Sequence, residues 1–366
     1  MNKNDLDQIS FSQYIFTITG AQLGIGLLQL PRLLAEKAGM NGWISLFSAW
    51  IFSTISSLII IQIMKITDKT LFQLLCTHTG KWIGKICMLF IFLYFSFFSM
   101  LILQRSILFI KMWLIPETAE YILMFLFSIP IYIIVQNGIS TIGRYAKLIF
   151  PLTVGLLFFY GLALKDNQHW YHLFPIFNNV TSALQNTPTI FESFLGFEVV
   201  FFIYPNLKKK QFASLGIFIA NTITLVISLV ITISCFLFFS PDEILQYTEP
   251  TLSMLKILEL PFVEHVELLF FTLFIFVLST TWMPHIHGAV CSMNNLLGKK
   301  YTSPLLCLLL FSFVFIMYFF PVTLFQINFL QNIGLYVGVL FSCIFPLFLW
   351  IFIILAKKTS SSRNAK

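Results

Sequence analysis

The sequence predicts an all-α integral membrane protein. About ten transmembrane helices are expected, as a five-plus-five inverted repeat with helices one and six broken. Three observations carry this. The 366 residues are 58% hydrophobic and only 10% charged, with a mean hydropathy of +0.88, whereas a soluble domain carries about 25% charged residues. Apolar stretches of spanning length, ~20 residues, recur along the chain. Two of those stretches, in matching places of the two halves, contain residues that an uninterrupted helix in lipid avoids.

In order, the expected spans run over 12–36, 42–64, 83–111, 119–136, 145–164, 188–206, 212–239, 264–291, 303–321 and 334–356. Polar breaks separate them at 65–81, 116–117, 137–144, 165–179, 206–211, 240–261, 294–303 and 326–332. The chain is expected to be one transmembrane domain over 1–366, repeat one covering about 10–164 and repeat two about 188–356. Residues 1–7 lack a basic n-region and a small-residue cleavage site, so they read as a short retained tail.

The net charge of +7 raises nucleic acid as a partner, but the distribution argues against it. With the N-terminus inside, one face collects Lys3, Lys65, Lys69, Lys81, Lys85, Arg144, Lys147, the run Lys208–Lys210, Lys299, Lys300 and the tail Lys357, Lys358, Arg363 and Lys366. The other face holds Arg32, Lys37, Lys111, Lys165 and Lys256 and the acids Asp242, Glu243, Glu249, Glu259, Glu264 and Glu267. Cationic short loops stay cytoplasmic, so both termini are expected there, with lipid headgroups and not nucleic acid as the basic residues' partner.

The first broken span holds Gly20-Ala21-Gln22-Leu23-Gly24-Ile25-Gly26-Leu27-Leu28-Gln29-Leu30-Pro31-Arg32. Glycine weakens a helix interior by ~1 kcal/mol relative to alanine, and proline removes a donor. Non-helical backbone at membrane depth persists only where protein covers it or it lines a cavity. The expectation is a break near Gly24-Ile25-Gly26, with amides of Leu23–Gly26 facing a small anionic group such as a carboxylate. The competing reading is helix packing, because Gly20-x-x-x-Gly24 is a small-residue contact motif. The sixth span answers with Phe191-Glu192-Ser193-Phe194-Leu195-Gly196-Phe197-Glu198. Glu198 is the deeper acid and has three candidate partners: a ligand amine, a coupling proton or Arg105. Glu192 reads either as a functional acid or as a first-turn acid favoured by the helix dipole.

Span three carries Tyr94, Ser96, Ser99, Gln104 and Arg105, and span eight carries Ser279, Thr280, Thr281 and Trp282 before Pro284. His285 and His287 point ~200° apart on a helix and make no metal face. The six cysteines form no C-x-x-C pair. No phosphate loop, nucleophile elbow or acid–base dyad occurs, so neither a cofactor nor catalysis is expected. Phe98, Phe194 and Phe197 point to a small neutral ligand.

Several stretches resemble the B subunits of spore germination receptors, the endospore germination permease family of the amino acid–polyamine–organocation superfamily. They are Ile9–Gln13, Gln22–Arg32 and Ala38–Ser45, with Leu103–Arg105, Leu114–Thr118, Gly138–Arg144, Leu173–Pro175 and Phe194–Glu198. Asn41 stands where that family commonly has an acid, and Met40 where a polar residue is common. The resemblance implies a five-plus-five inverted fold and a nutrient receptor subunit in the spore inner membrane. It also implies work with a larger A subunit and a lipoprotein C subunit, and binding of a small nutrient, commonly an amino acid. Carried over by position, the ligand lies between Gly24–Gly26 and Phe194–Glu198, with Ser99 and the Ser279–Trp282 stretch as walls; Gln22, Leu23 and Ile25 complete the candidate binding residues on the first break. The residues alone fit a proton-coupled amino acid transporter equally well, and also a scaffold or ion channel with a vestigial pocket; only the resemblance favours sensing.

Overall fold

The computed structural model describes residues 8–67, 70–165, 167–174, 180–258, 265–298 and 301–364. The expectations for residues 1–7, Lys69, Pro175, Glu259, Glu264, Lys299, Lys300 and Lys366 fall outside these. The side chains of Ile25 and of 356–364 fall outside them too.

The described residues are mostly helical, and no strand occurs among them. The first span is α1 (Phe11–Gln22), a 3-10 turn over Ile25–Leu28, and α2 (Leu30–Ala38). Then come α3 (Trp43–Thr67), α4 (Leu71–Thr79), α5 (Lys81–Trp113), α6 (Glu120–Val135) and α7 (Ile139–Leu164). The sixth span is short pieces: α8 (Val180–Gln185), α9 (Thr187–Ile190), 3-10 turns over Phe191–Phe194 and Phe197–Val199, and α10 (Val200–Ile203). The remainder is α11 (Ala213–Phe238), α12 (Pro250–Ser253), α13 (Val266–Leu297), α14 (Thr302–Phe319), α15 (Leu324–Val339) and α16 (Phe345–Asn364). Among the described residues, seven helices are long and apolar enough to cross a bilayer, and α6 is a shorter apolar one.

One expected break is absent. Residues 326–332 are not a loop, because helix runs unbroken over Leu324–Leu355, through a π turn at Leu340–Ile344. A capping box at Thr323 and Gln326 starts it, each side chain bonding the other's backbone amide. Its polar residues stay helical because they find a polar wall to face, as described below.

Without a hydrophobic force between helices in lipid, close packing and interhelical hydrogen bonds hold the bundle. The most extensive contact is α5 with α13, and α1 is enclosed by α7, α11 and α13. Gly20 makes that enclosure possible: a Cβ there would lie 2.5 Å from Thr280 Oγ1 on α13. Gly216 on α11 admits the Tyr14 ring in the same way. Large apolar side chains such as Phe90, Phe311 and Phe348 cover the exterior, the arrangement suited to lipid. The start of the first span is tied to the end of the sixth, because Ile9 N donates to Asn206 O (2.9 Å) and Lys208 N to Ile9 O (3.2 Å).

Candidate ligand-binding site

Both breaks fall where expected. In the first, Leu23 (φ −80°, ψ 62°) ends α1 and Gly24 is extended (φ −79°, ψ −178°). Any residue can adopt that φ, so glycine here supplies space. A Cβ on Gly24 would make only ordinary contact with Thr281, and one on Gly26 would meet nothing within 4 Å. In the second, Leu195 is extended and Gly196 sits at φ 119°. Only glycine adopts that φ without strain, and a Cβ would lie 2.3 Å from Ala21 O. The packing and break readings of the first glycine motif therefore both hold, on different residues: Gly20 packs and Gly24 opens.

Unwinding frees backbone groups that lipid cannot satisfy. Neighbouring side chains take them up. Thr281 Oγ1 reaches Gly20 O (2.9 Å) and Leu23 O (3.2 Å), and Thr251 Oγ1 donates to Leu28 O at 2.8 Å. Gln22 laces the breaks together: its Nε2 donates to Phe194 O (3.1 Å) and Asn221 Oδ1 (2.8 Å), and its Oε1 accepts from Thr224 Oγ1 (2.7 Å). Its polar atoms are occupied.

Glu198 is fully buried and does not meet Arg105. Tyr94 OH donates to its Oε1 (2.7 Å) and the Gly196 amide to its Oε2 (2.8 Å). His285 Nε2 lies 3.7 Å from Oε1. The opposite ring nitrogen of His285 donates to Thr281 O at 2.7 Å, which fixes a proton on Nδ1. The His285 ring stands beside Phe95 and Phe98, with centroids 5.7 and 6.3 Å away.

A cavity of about 600 Å³ opens above this knot. Gln22, Gly24, Gly26, Leu195, Thr281 and His285 line it, together with Gln29, Arg32, Arg105, Glu192, Asn328 and Gln331. Of the expected site residues, Gln22, Gly24 and Gly26 face it. The Leu23, Phe194 and Phe197 side chains are buried in the core. Gly196 and Glu198 lie behind the wall, bonded to each other. Ser99 Oγ donates to Ser96 O (3.0 Å), Ser279 bonds Tyr145 OH (2.6 Å), and Trp282 packs edge-on to Phe127; none of the three is among the lining residues.

Residues outside that set supply the polar walls. Arg105 Nη2 donates to Gln29 Oε1, Gln29 Nε2 to Glu249 Oε1 (3.1 Å) and Gln331 Nε2 to Glu192 Oε1 (2.6 Å). Glu249 is thus a buried part of this network and not a solvated loop acid. The signal for α15 was present in the sequence: Asn328, Gln331 and Asn332 recur at i, i+3 and i+4, one helical face.

A family described as "Spore germination protein" matches residues 8–330. The chain is 27% identical over 350 residues to spore germination protein GerQB of Bacillus cereus, covering 94% of this chain and 95% of that protein. It is 30% identical over 273 residues to spore germination protein B2 of Bacillus subtilis (strain 168), covering 71% and 72%. To spore germination protein A2 of the same organism it is 28% identical over 299 residues, covering 78% and 80%.

Proposed function

The chain belongs to the spore germination protein family, and we propose that it acts as the nutrient-sensing membrane subunit of a germinant receptor, taking one small solute into the cavity between its broken helices. The observation that carries this reading is the cavity itself. About 600 Å³ suits a small molecule, and its walls are built from both unwound segments, at Gly24 and Gly26 on one side and Leu195 on the other. A solute touching both breaks biases their relative packing by its differential affinity for the two arrangements. Gln22 and the Ile9–Asn206 tie couple the segments, so a shift at one reaches the other.

The five-plus-five inverted repeat belongs to the same proposal. So do a spore inner-membrane location, cytoplasmic termini, an amino acid as the nutrient, and a larger A subunit and a lipoprotein C subunit as partners. The asymmetry of lysine and arginine between the loops supports the orientation.

One observation favours a second reading, in which the chain moves an amino acid together with a proton: the buried Glu198 and His285, 3.7 Å apart at the sixth-span break. Uptake of labelled amino acids by purified protein in liposomes separates the readings, since a sensor that does not transport gives none.

Gly26→Leu tests the site. A Cβ at Gly26 meets open space, so leucine projects into the cavity without forcing the backbone. Spores carrying the variant are expected to hold normal amounts of the protein and to lose nutrient-triggered germination. A wild-type nutrient response rules the cavity out.

A further inference from the structure

Among the charged residues that line the cavity, which also include Arg32, Glu36 and Lys37, Arg105 and Glu192 carry opposite signs and do not pair. Arg105 is 4% exposed, and of its five N–H donors one goes to Gln29. Its Nε and Nη1 are shielded from solvent and have no partner. The Glu192 carboxylate accepts one hydrogen bond, from Gln331, and takes no second one among the described residues. No described ion pair includes either residue, although both Glu192 and the Gln29-bonded Glu249 lie within electrostatic reach of the guanidinium. Gln29 links the Arg105 guanidinium to Glu249, and Gln331 bonds the Glu192 carboxylate, so neither glutamine fills the open donors of Arg105. Unmatched buried charge is costly unless a partner of opposite sign arrives.

We propose that this part of the cavity is a zwitterion anchor: Arg105 takes the carboxylate of a free α-amino acid on its open donors and Glu192 takes its ammonium. The inference rests on the cavity being the solute site. The chemistry follows from the walls. A simple anion would meet Glu192 unpaired, a simple cation would meet Arg105 unpaired, and a zwitterion matches both. The guanidinium presents N–H groups in a planar fork suited to carboxylate. Phe98, Ile102 and Leu195 line the same cavity and favour an amino acid with an uncharged, apolar side chain. Arg105 and Glu192 then set the class of nutrient, and the unwound backbone responds to its presence.

The test uses the purified full-length protein in lipid nanodiscs with labelled alanine, valine, leucine and phenylalanine. Each is competed by its carboxamide, which lacks the carboxylate charge, and by its deaminated acid, which lacks the amine. Wild type is expected to bind at least one of the four, with both analogues competing at least roughly thirtyfold more weakly. Arg105→Gln is expected to lose a similar factor for the amino acid, and Arg105→Lys, which keeps the charge without the fork, to recover part of it. Glu192→Gln is expected to lose discrimination against the deaminated acid while keeping it against the carboxamide. Amino acid binding by Arg105→Gln at wild-type affinity overturns the proposal. If that variant does not fold, Glu192→Gln decides: discrimination like that of wild type overturns it equally. A wild-type protein that binds only uncharged probes, glucose or inosine, also overturns it. If Gly26→Leu blocks those probes, the cavity still stands as the solute site without its zwitterion anchor. If no probe of either kind binds, the cavity reading falls and the anchor with it.

Discussion

Gln22 and Gln29 lie on either side of the first break, as Glu198 and Glu192 lie on either side of the second. In each pair one member is used up by the fold and the other faces the cavity wall network. Gln22 has its amide nitrogen and oxygen bonded to Phe194, Asn221 and Thr224. Glu198 has both oxygens bonded, to Tyr94 and to the amide of Gly196. Gln29 and Glu192 instead bond Arg105, Glu249 and Gln331, around a guanidinium that still has open donors. An unwound membrane segment makes two demands: its freed backbone must be satisfied, and its remaining polar groups need a polar wall to face. Here the demands are divided across each break. The sharpest way to test that division is to disturb the two sides separately.

The largest effect is expected at Gly196. Alanine there would take a φ of 119° that side chains rarely adopt, and its Cβ would press within 2.3 Å of Ala21 O, a backbone atom that cannot swing aside. The combined strain and overlap is worth about 3 kcal/mol or more. Gly196→Ala is therefore expected to fail to accumulate in the membrane, or to melt far below wild type in detergent. A normal melting temperature would mean that this break is not the tightly clamped one.

How much of this was readable beforehand follows from where helical periodicity applies. Long apolar runs such as 83–111 fix a spanning helix almost by length alone, and α5 differs from that run by two residues at each end. The breaks were readable because glycine, glutamine and proline cluster at Gly20–Pro31, and glycine with acids at Glu192–Glu198. Which polar residue joins the cavity-wall network was not. Gln22 and Gln29, seven apart, would share one face of an intact helix. The unwound Leu23–Gly24 segment breaks that relation, so spacing no longer reports direction. Glu198 drew attention as the deeper acid, yet depth is what allowed Tyr94 and the Gly196 amide to enclose it. The stretch 326–332 reads as a loop because four of its seven residues, Gln326, Asn328, Gln331 and Asn332, carry side-chain amides. Its i, i+3, i+4 pattern was the better guide, and it marks a helix wall.

A middle-sized effect is expected from Glu198→Gln. The carboxylate accepts from Tyr94 and from the Gly196 amide, one donor per oxygen. A carboxamide keeps one acceptor oxygen and turns an NH2 group toward the other donor. Losing one hydrogen bond to a buried charge costs about 2–3 kcal/mol. The variant is expected to melt several degrees lower, while the protein that does accumulate responds to the same nutrient concentration as wild type. A shifted nutrient dependence with an unchanged melting temperature would move Glu198 to the solute-facing side.

The smallest effect is expected at Gly26, on the other break. Its glycine is not held by backbone strain, and a Cβ there meets nothing within 4 Å. Alanine also lowers the entropy of the unfolded chain, a gain of about 0.4–1 kcal/mol where the native conformation tolerates it. Gly26→Ala is therefore expected to melt within about 1 kcal/mol of wild type, on the stable side if it moves at all, where the same change at Gly196 removes the protein. Equal sensitivity at the two glycines would mean that both breaks are clamped, with Gly26 held by packing and the cavity beside it closed in the working receptor. Unequal sensitivity in the stated direction assigns structure to one break and space to the other.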